Sequence, residues 1–318
     1  MPAPEQIDRF RRDLEALTGA PSARLGVAVS GGPDSLALLL LAEAACPGRV
    51  EAATVDHRLR PEAAEEARFV ASVCADLGVP HSILADPDTL LAAANAQAQA
   101  RTLRYRLLAD WAGRRDIAFL ATAHHSDDQA ETVLMRLARG AGLAGLAAVR
   151  PSRRDGALTI LRPLLGWRRD ELEAIVAGAG LEAVDDPSNR SDAYDRTRFR
   201  ALLAGTDLLA APRLAASAAH LAEAEDALAW AVEREWQARA GEEEGIVTLD
   251  PSGLPTELVR RLAARAIDTV RGDRDWRRDG LATAIGEVAS GRRTTLAGVQ
   301  ISGGQRWRFE PEPPRRAV

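Results

Sequence analysis

Short apolar runs alternate along most of this chain with longer stretches whose apolar positions recur at helical spacing. The runs starting at Leu25 and covering Val50–Val55, His81–Leu84 and Ala118–Ala123 read as strands, and the stretches 62–77 and 92–113 read as helices. Ahead of them, MPAPEQIDRFRRDLEAL has the pattern of an amphipathic helix. Behind them, LTILRPLL reads as a strand and WRRDELEAIVAGAGL as a helix closed by glycine. Strands alternating with helices predict an α/β fold, a doubly wound parallel sheet with helices on both faces.

From Pro212 to Ala240 the pattern changes to one Ala-rich, acidic helix with Leu221, Leu228, Ala231 and Val232 as its apolar positions. GEEEG at 241–245 reads as a solvated turn, and a helix at 256–270 and a hairpin around Ser302-Gly303-Gly304 follow. The PEPPRRAV end is expected to be disordered. The chain therefore divides into a catalytic domain at 1–204, a linker helix region at 205–245 and a small α+β domain at 246–318.

The most informative local segment is LGVAVSGGPDSLALLL, residues 25–40, in which an apolar run enters a cluster of turn residues and leaves as a helix. Gly31 and Gly32 are expected to take positive φ and let the backbone approach a ligand. Ser30, Ser35 and the free amides of the helix start can aim hydrogen bonds at an anion, so the loop suits a phosphate or pyrophosphate. A Walker loop needs a Gly-Lys pair and a dinucleotide fingerprint needs three spaced glycines, and neither is present. Ligands of open α/β sheets lie at the carboxyl ends of the strands, where Ser30, Asp56 and His124 all fall.

Composition narrows the chemistry further. All 41 basic residues of the 318 are arginine, so no lysine rides on a phosphate, forms a Schiff base or carries an adenylate. Only Cys46 and Cys74 occur, outside any CxxC, which argues against a disulfide framework or zinc centre. With no signal-peptide core or membrane-length apolar span, the cytosol is the expected location. The net charge of −5 is uneven: residues 92–200 carry 17 arginines against 14 acids and 255–318 carry 13 against 8, whereas 205–254 carry 3 against 10. Two positive regions separated by an acidic one suit a polyanion contacted at two places, and equally suit a solvated surface.

Three further segments carry chemistry. ATAHHSDDQAETVLMRLARGAGLAGL, residues 121–146, leaves a strand and presents His124, His125, Asp127, Asp128 and Glu131 opposite the phosphate loop. Asp128 and Glu131 lie three apart on one helix face, although acids at a helix start also serve as caps. Adjacent histidines do not easily face one ion, which weakens a zinc reading. In NAQAQARTLRYRLLADWA, residues 95–112, Arg101, Arg104 and Tyr105 share a helix face. Its guanidinium can bind phosphate and its ring can stack on a base. In DDPSNRSDAYDRTRFR, residues 185–200, a turn at Pro187-Ser188-Asn189 precedes Arg196, Arg198 and Arg200, whose alternation points to phosphate contacts or a charged edge.

SGGPDS resembles the PP-loop of the N-type ATP pyrophosphatases, and the four segments in this order resemble the tRNA(Ile)-lysidine synthetase family over residues 22–204. RGAGLAGL and LRPLL strengthen the match. The family usually has asparagine where Thr197 stands and a small aliphatic residue where Phe199 stands, so the role of Thr197 stays open. The resemblance implies an adenine nucleotide alpha-hydrolase-like fold and ATP-dependent joining of L-lysine to the wobble cytidine of the CAU anticodon of tRNA(Ile), through an adenylated cytidine. It implies a pyrophosphate cradle at Ser30, Gly31, Gly32, Pro33, Asp34 and Ser35, with Asp56 and His124 also facing the nucleotide. Mg²⁺ is expected at Asp34, with Asp127 as a second candidate ligand. Asp128 and Glu131 are expected to hold the lysine ammonium, Arg104 and Arg200 to steady the transferring phosphate, and the C-terminal domain to grip tRNA through Arg277, Arg278, Arg292 and Arg293. Oligomeric state is left open, a homodimer included. A PP-loop tRNA thiolation enzyme is the alternative, but thiolation normally relies on reactive cysteines, and Cys46 and Cys74 read as core residues. A nucleotide-binding module without catalysis would keep the loop and not need the acidic helix or the arginine runs.

Overall fold

The computed structural model describes residues 1–19, 23–56, 63–86, 96–183 and 193–313. Contacts divide the chain into two units, Met1–Ala222 and Glu223–Val318.

Unit 1 is built on a six-stranded sheet of order β3-β2-β1-β4-β6-β5. Its strands are β1 (Leu25–Ala28), β2 (Val50–Val55), β3 (His81–Leu84), β4 (Phe119–Ala121), β5 (Ser152–Asp155) and β6 (Leu158–Leu161). All neighbours pair in parallel except β5 with β6, a hairpin that the sequence pattern did not reveal because β5 is polar and exposed throughout. The helices are α1 (Pro4–Thr18), α2 (Pro33–Ala45), α3 (Ala63–Leu77), α4 (Ala96–Arg114), α5 (Ser126–Ala138), the single turn α6 (Leu143–Leu146), α7 (Arg169–Gly178) and α8 (Ala193–Ala204). The expected start of α4 at 92 and the turn at Pro187–Asn189 lie outside the described residues.

Two cores, one on each side of the sheet, account for this arrangement. On one side Phe10, Val27, Val70, Leu164, Trp167 and Ile175 enclose α2, nine of whose residues are buried. A helix apolar on all sides has to be interior, which the LALLLLA run had already required. On the other side Leu108 and Trp111 of α4 pack with Ala53, Leu120 and Ile160 of the strands. Gly26 makes room for this contact, because a Cβ there would meet Trp111 at 3.0 Å and Ile117 at 3.1 Å.

Strands β1, β2 and β3 run outward to one side, and β4 then returns to pair with β1 on the other. The reversal between β1 and β4 is the topological switch point, where the loops diverge and leave a crevice at the carboxyl ends. The loop at Ser30 and the segment at His124 leave these two strands.

Unit 2 begins within the long helix α9 (Ala211–Arg239) and holds a five-stranded antiparallel sheet of order β7-β8-β11-β10-β9. The strands are β7 (Ala240–Glu243), β8 (Ile246–Leu249), β9 (Arg293–Leu296), β10 (Val299–Ser302) and β11 (Trp307–Pro311), covered by α10 (Thr256–Arg271) and α11 (Leu281–Ala289). GEEEG is thus a strand end with its turn at Glu244-Gly245, not a free turn, since Glu242 pairs with Val247 of β8. Pro311, the first residue of the expected disordered tail, pairs with Val299, and 314–318 lie outside the described residues. The hairpin at Ser302-Gly303-Gly304 forms as expected between β10 and β11. Trp236, Leu262, Ile267 and Phe309 centre this second core.

Gly303 is the tightest glycine of unit 2: a Cβ there would lie 2.3 Å from the Val288 carbonyl oxygen, a backbone atom that cannot swing aside. Gly303→Ala is expected to destabilise the unit by about 1–3 kcal/mol, the usual cost of overpacking. The denaturant midpoint of the variant checks this; an unshifted midpoint would mean that the hairpin yields freely.

Candidate active site

Each side of the crevice is held by local structure. Gly31 takes φ +89°, but Gly32 is extended at φ −73° and serves as the N-cap of α2, so only one of the two glycines is needed for its conformational freedom. Pro33 follows at the first helical position, where its missing N–H costs nothing. Ser35 is buried and spends its hydroxyl inside the loop, accepting from Ser30 N at 3.1 Å and donating to the Gly32 carbonyl at 2.9 Å. Ser35 shapes the loop, and Ser30, exposed at its mouth, has its Oγ 3.2 Å from that of Ser35.

Opposite, α5 starts at the switch point. His125 N donates to Asp128 Oδ2 at 3.2 Å, satisfying the first turn. Ser126 gives both its N and Oγ to the Trp167 carbonyl, at 2.9 and 2.7 Å. Trp167 is itself fastened by Nε1 to Asp13 at 2.9 Å and covered by Arg9 at 4.1 Å. Gln129 exchanges two 2.8 Å hydrogen bonds with the backbone of Val149, and Arg136 donates to the carbonyls of Gly145 and Ala148. The HHSDDQAET and RGAGLAGL segments are therefore one packed unit, joined through Gln129 and Arg136.

At the centre His125, 3 % exposed, faces three carboxylates. Its Nε2 lies 3.5 Å from Asp34 and 3.6 Å from Asp128, and its Nδ1 lies 3.6 Å from Asp127. These are ion-pair distances, longer than tight hydrogen bonds. Burial opposes the imidazolium, but Asp127, Asp34 and Asp128 outweigh it and push its pKa up to about 10. His124 behaves oppositely: burial is the largest influence, and with Arg162, Arg101 and Arg196 it overrides Asp128 and brings the pKa down to about 4. Adjacent histidines thus carry different charges at neutral pH.

The acids are not equivalent. Asp127 Oδ2 accepts from Arg168 Nε at 3.2 Å and Arg169 N at 3.0 Å, and although burial opposes its charge, His125 and these donors hold it well below the usual carboxylate range. That use at the start of α7 competes with its expected part in holding Mg²⁺. Asp34 keeps one buried oxygen, Oδ1, with no hydrogen-bond partner. Glu131, 3 % exposed, accepts from Arg196 Nε at 2.9 Å and Arg200 Nε at 2.8 Å. Both its oxygens are engaged, so its expected grip on an ammonium would have to displace an arginine. Asp128, 20 % exposed at the side chain, meets Arg196 at the longer distance of 3.5 Å and is the more available acid.

The arginine run 196–200 is helical. Arg196 and Arg200, four apart on α8, reach Glu131 together, so their alternation in sequence was not that of an extended edge. Arg200 remains 46 % exposed at the side chain. Arg104 is exposed on α4, and Asp56 follows β2 with its N–H bonded to the Leu84 carbonyl. Tyr105, expected to stack on a base, is half-buried against the α4 core with guanidinium groups on its ring. Sequence reasoning missed Ser126, Gln129, Arg162 and Arg168 as individual site-building residues; their signal was only their place within the longer motifs.

Cys46 and Cys74 are both buried, and burial raises both thiols, Cys74 to about 11. Neither is an activated sulfur. Among the described residues no three His, Cys, Asp or Glu side chains converge on a metal position, and no helix is long and apolar enough to cross a membrane. A cavity lined by Arg11, Leu14, Cys46, Arg49 and Phe119 opens where β1 and β4 begin, at the end of the sheet away from this site.

An open sheet with the SGGPDS loop at its switch point defines a PP-loop enzyme of the ATP-using kind, and the PP-loop domain family matches residues 5–206. A solved U34-tRNA thiolase from Methanococcus maripaludis, carrying a [4Fe-4S] cluster, shares the fold with TM-score 0.57 over 68 % of this chain and 76 % of that one, at 19 % identity. Much closer are the tRNA(Ile)-lysidine synthases of Zymomonas mobilis subsp. mobilis, 46 % identical over 98 % of this chain and 95 % of the relative, and of Novosphingobium aromaticivorans, 46 % identical over 97 % and 94 %. The chain belongs to the tRNA(Ile)-lysidine synthase family.

The two histidines set the pH window of stability. The raised pKa of His125 gives stability that is full below its ordinary 6.5 and is lost as pH rises through about 10. The depressed pKa of His124 gives stability present above 6.5 and lost as pH falls through about 4. His125→Gln is expected to flatten the alkaline limb of a stability-against-pH curve; an unchanged alkaline limb would show that the imidazolium has no such role.

Proposed function

We propose that this protein activates the wobble cytidine of a CAU-anticodon tRNA(Ile) by transfer of AMP from ATP, and then joins L-lysine to the activated base. The observation that carries the reading is nearly full-length similarity at 46 % identity to named lysidine synthases, combined with a phosphate loop and an acidic helix facing each other across one crevice. The oxygen of a ring carbonyl is a poor leaving group. Adenylation converts it to a good one, which an amine displaces.

The roles follow from the availability of each group. Ser30 and the α2 amides cradle pyrophosphate, helped by the helix dipole. Mg²⁺ generally takes one or two carboxylates and completes its shell with substrate phosphates and water. The unpartnered Asp34 Oδ1 suits that use, and the metal supplies neutralisation of the phosphate charge. Asp128 is the better acid for the lysine ammonium, because Glu131 is committed to Arg196 and Arg200. Through Glu131, Arg200 is positioned to steady the transferring phosphate, with Arg104 from α4. In unit 2, Arg277 pairs with Asp279 and Arg278 with Asp268, which leaves Arg292 and Arg293, exposed and without an ion pair among the described residues, as the better phosphate contacts for tRNA. The two buried, unactivated thiols count against thiolation.

Mass measurement of nucleosides from tRNA(Ile) incubated with ATP, Mg²⁺ and lysine tests the reaction: lysidine is the expected product, and cytidine left unchanged or thiolated refutes the reading.

Asp34→Ala is expected to lower AMP transfer by roughly a thousandfold, since metal-assisted charge stabilisation contributes several kcal/mol. Pyrophosphate release checks it, and full activity in a folded variant would remove Asp34 from the chemistry.

Asp128→Asn is expected to raise the lysine KM roughly ten- to hundredfold, the ~1.5–3 kcal/mol of a charge-assisted hydrogen bond, with ATP use retained. Glu131→Gln is expected to loosen α8 by about 1–2 kcal/mol, because its half-exposed arginine partners lose one charge, and to impair ATP and lysine use together. Steady-state titration of each substrate separates the two, and matching effects of the two variants would refute the division of labour.

A further inference from the structure

Arg162, immediately after β6, is 5 % exposed and lies among cations. Its Nη1 donates to the Arg150 carbonyl at 2.7 Å, its Nε has no hydrogen-bond partner, and no carboxylate among the described residues pairs with it. Burial, together with the charges of Arg153 and Arg101, draws its pKa down against the favourable influence of Tyr105. The Tyr105 ring lies 5.3 Å from the Arg101 guanidinium and 5.0 Å from that of Arg153. Arg101 is exposed, and Arg153, paired at the surface with Asp155, is 47 % exposed at the side chain. A buried cation without a counter-charge, ringed by more cations, is unfavourable unless an anion completes the cluster.

We propose that Arg101 and Arg153, flanking Tyr105 beside the buried Arg162, form a subsite for a backbone phosphate of the RNA substrate. Geometry favours RNA over ATP as the source of that phosphate. In the order β2-β1-β4-β6-β5 Arg162 follows β6, two strand spacings or about 10 Å from the line of the PP-loop strand, and Arg153 lies on β5, one spacing further. Asp56, assigned to the nucleotide, follows β2 on the other side of β1. Arg153 is carried by the edge strand β5, whose four residues are all exposed, so a macromolecule can reach it. The inference rests on the tRNA-modifying reading above and locates where the RNA strand enters the crevice. Arg162 acts as a positioning charge: it fixes the potential under the two surface arginines and does not touch the ligand.

The test is the double variant R101Q/R153Q in the full chain, with folding verified by an unchanged melting temperature. Binding of a tRNA(Ile) transcript is measured across a salt series, and binding of ATP is measured without tRNA. The expected result is about tenfold weaker tRNA binding and a salt slope shallower by ~0.7, the share of one phosphate contact on a single strand, with ATP binding unchanged. Unaltered tRNA affinity and slope would overturn the subsite, and loss of ATP affinity with tRNA binding intact would assign the phosphate to the nucleotide and overturn the RNA assignment. Because the readout is binding, a wild-type chain that binds tRNA with this variant-sensitive slope yet forms no lysidine would overturn the functional reading and leave the subsite standing.

Discussion

One buried imidazolium connects the two halves of the crevice. His125 leaves β4, Asp34 belongs to the helix that follows β1, and the two meet at the switch point with Asp127 and Asp128 on the other sides. Three carboxylates so close together repel one another, and a cation buried among them offsets that repulsion. The position of the phosphate loop relative to the acidic helix depends on this charge, and so does the availability of Asp34 for its own ligand. Behind it, Trp167 ties the start of α5 to α1 through Ser126 and Asp13. A charge cluster is held by a neutral, fully buried brace.

A second ion group performs a different task. Glu131 collects Arg196 and Arg200 from α8, so the helix that completes the crevice is docked by charge. A carboxylate that gathers two guanidinium groups brings positive charge to the crevice while remaining out of reach itself. The same residue that looks like a ligand for an ammonium in the sequence acts in the fold as the anchor of an arginine pair. Asp128, one turn earlier, is left with the weaker partner and the greater exposure.

Much of this was legible from the chain alone. Alternating apolar runs determined the α/β class and the parallel strands β1 to β4, because strand and helix periods differ and a parallel pairing needs a crossover. SGGPDS at a strand-to-helix junction determined a phosphate loop, and HHSDDQAET with it determined the family. LALLLLA determined that α2 is interior, since no face of it is polar. The polar edge strands β5 and β7 were not legible, because a strand held at a sheet edge by backbone pairing alone leaves no hydrophobic alternation.

What only the tertiary structure decided is the assignment of charges to one another. Sequence places Asp34, Asp127, Asp128 and Glu131 near a crevice but cannot say which is already neutralised, because the partners come from distant parts of the chain at no fixed spacing: His125 for Asp34, Arg168 and Arg169 for Asp127, Arg196 and Arg200 for Glu131. The same holds for His124 and His125, neighbours of identical type whose charges diverge because one is buried beside arginines and the other among carboxylates. Residue type sets the ordinary pKa; burial and the charges brought within a few ångströms by folding set the actual one, and those depend on distances that a linear pattern does not contain.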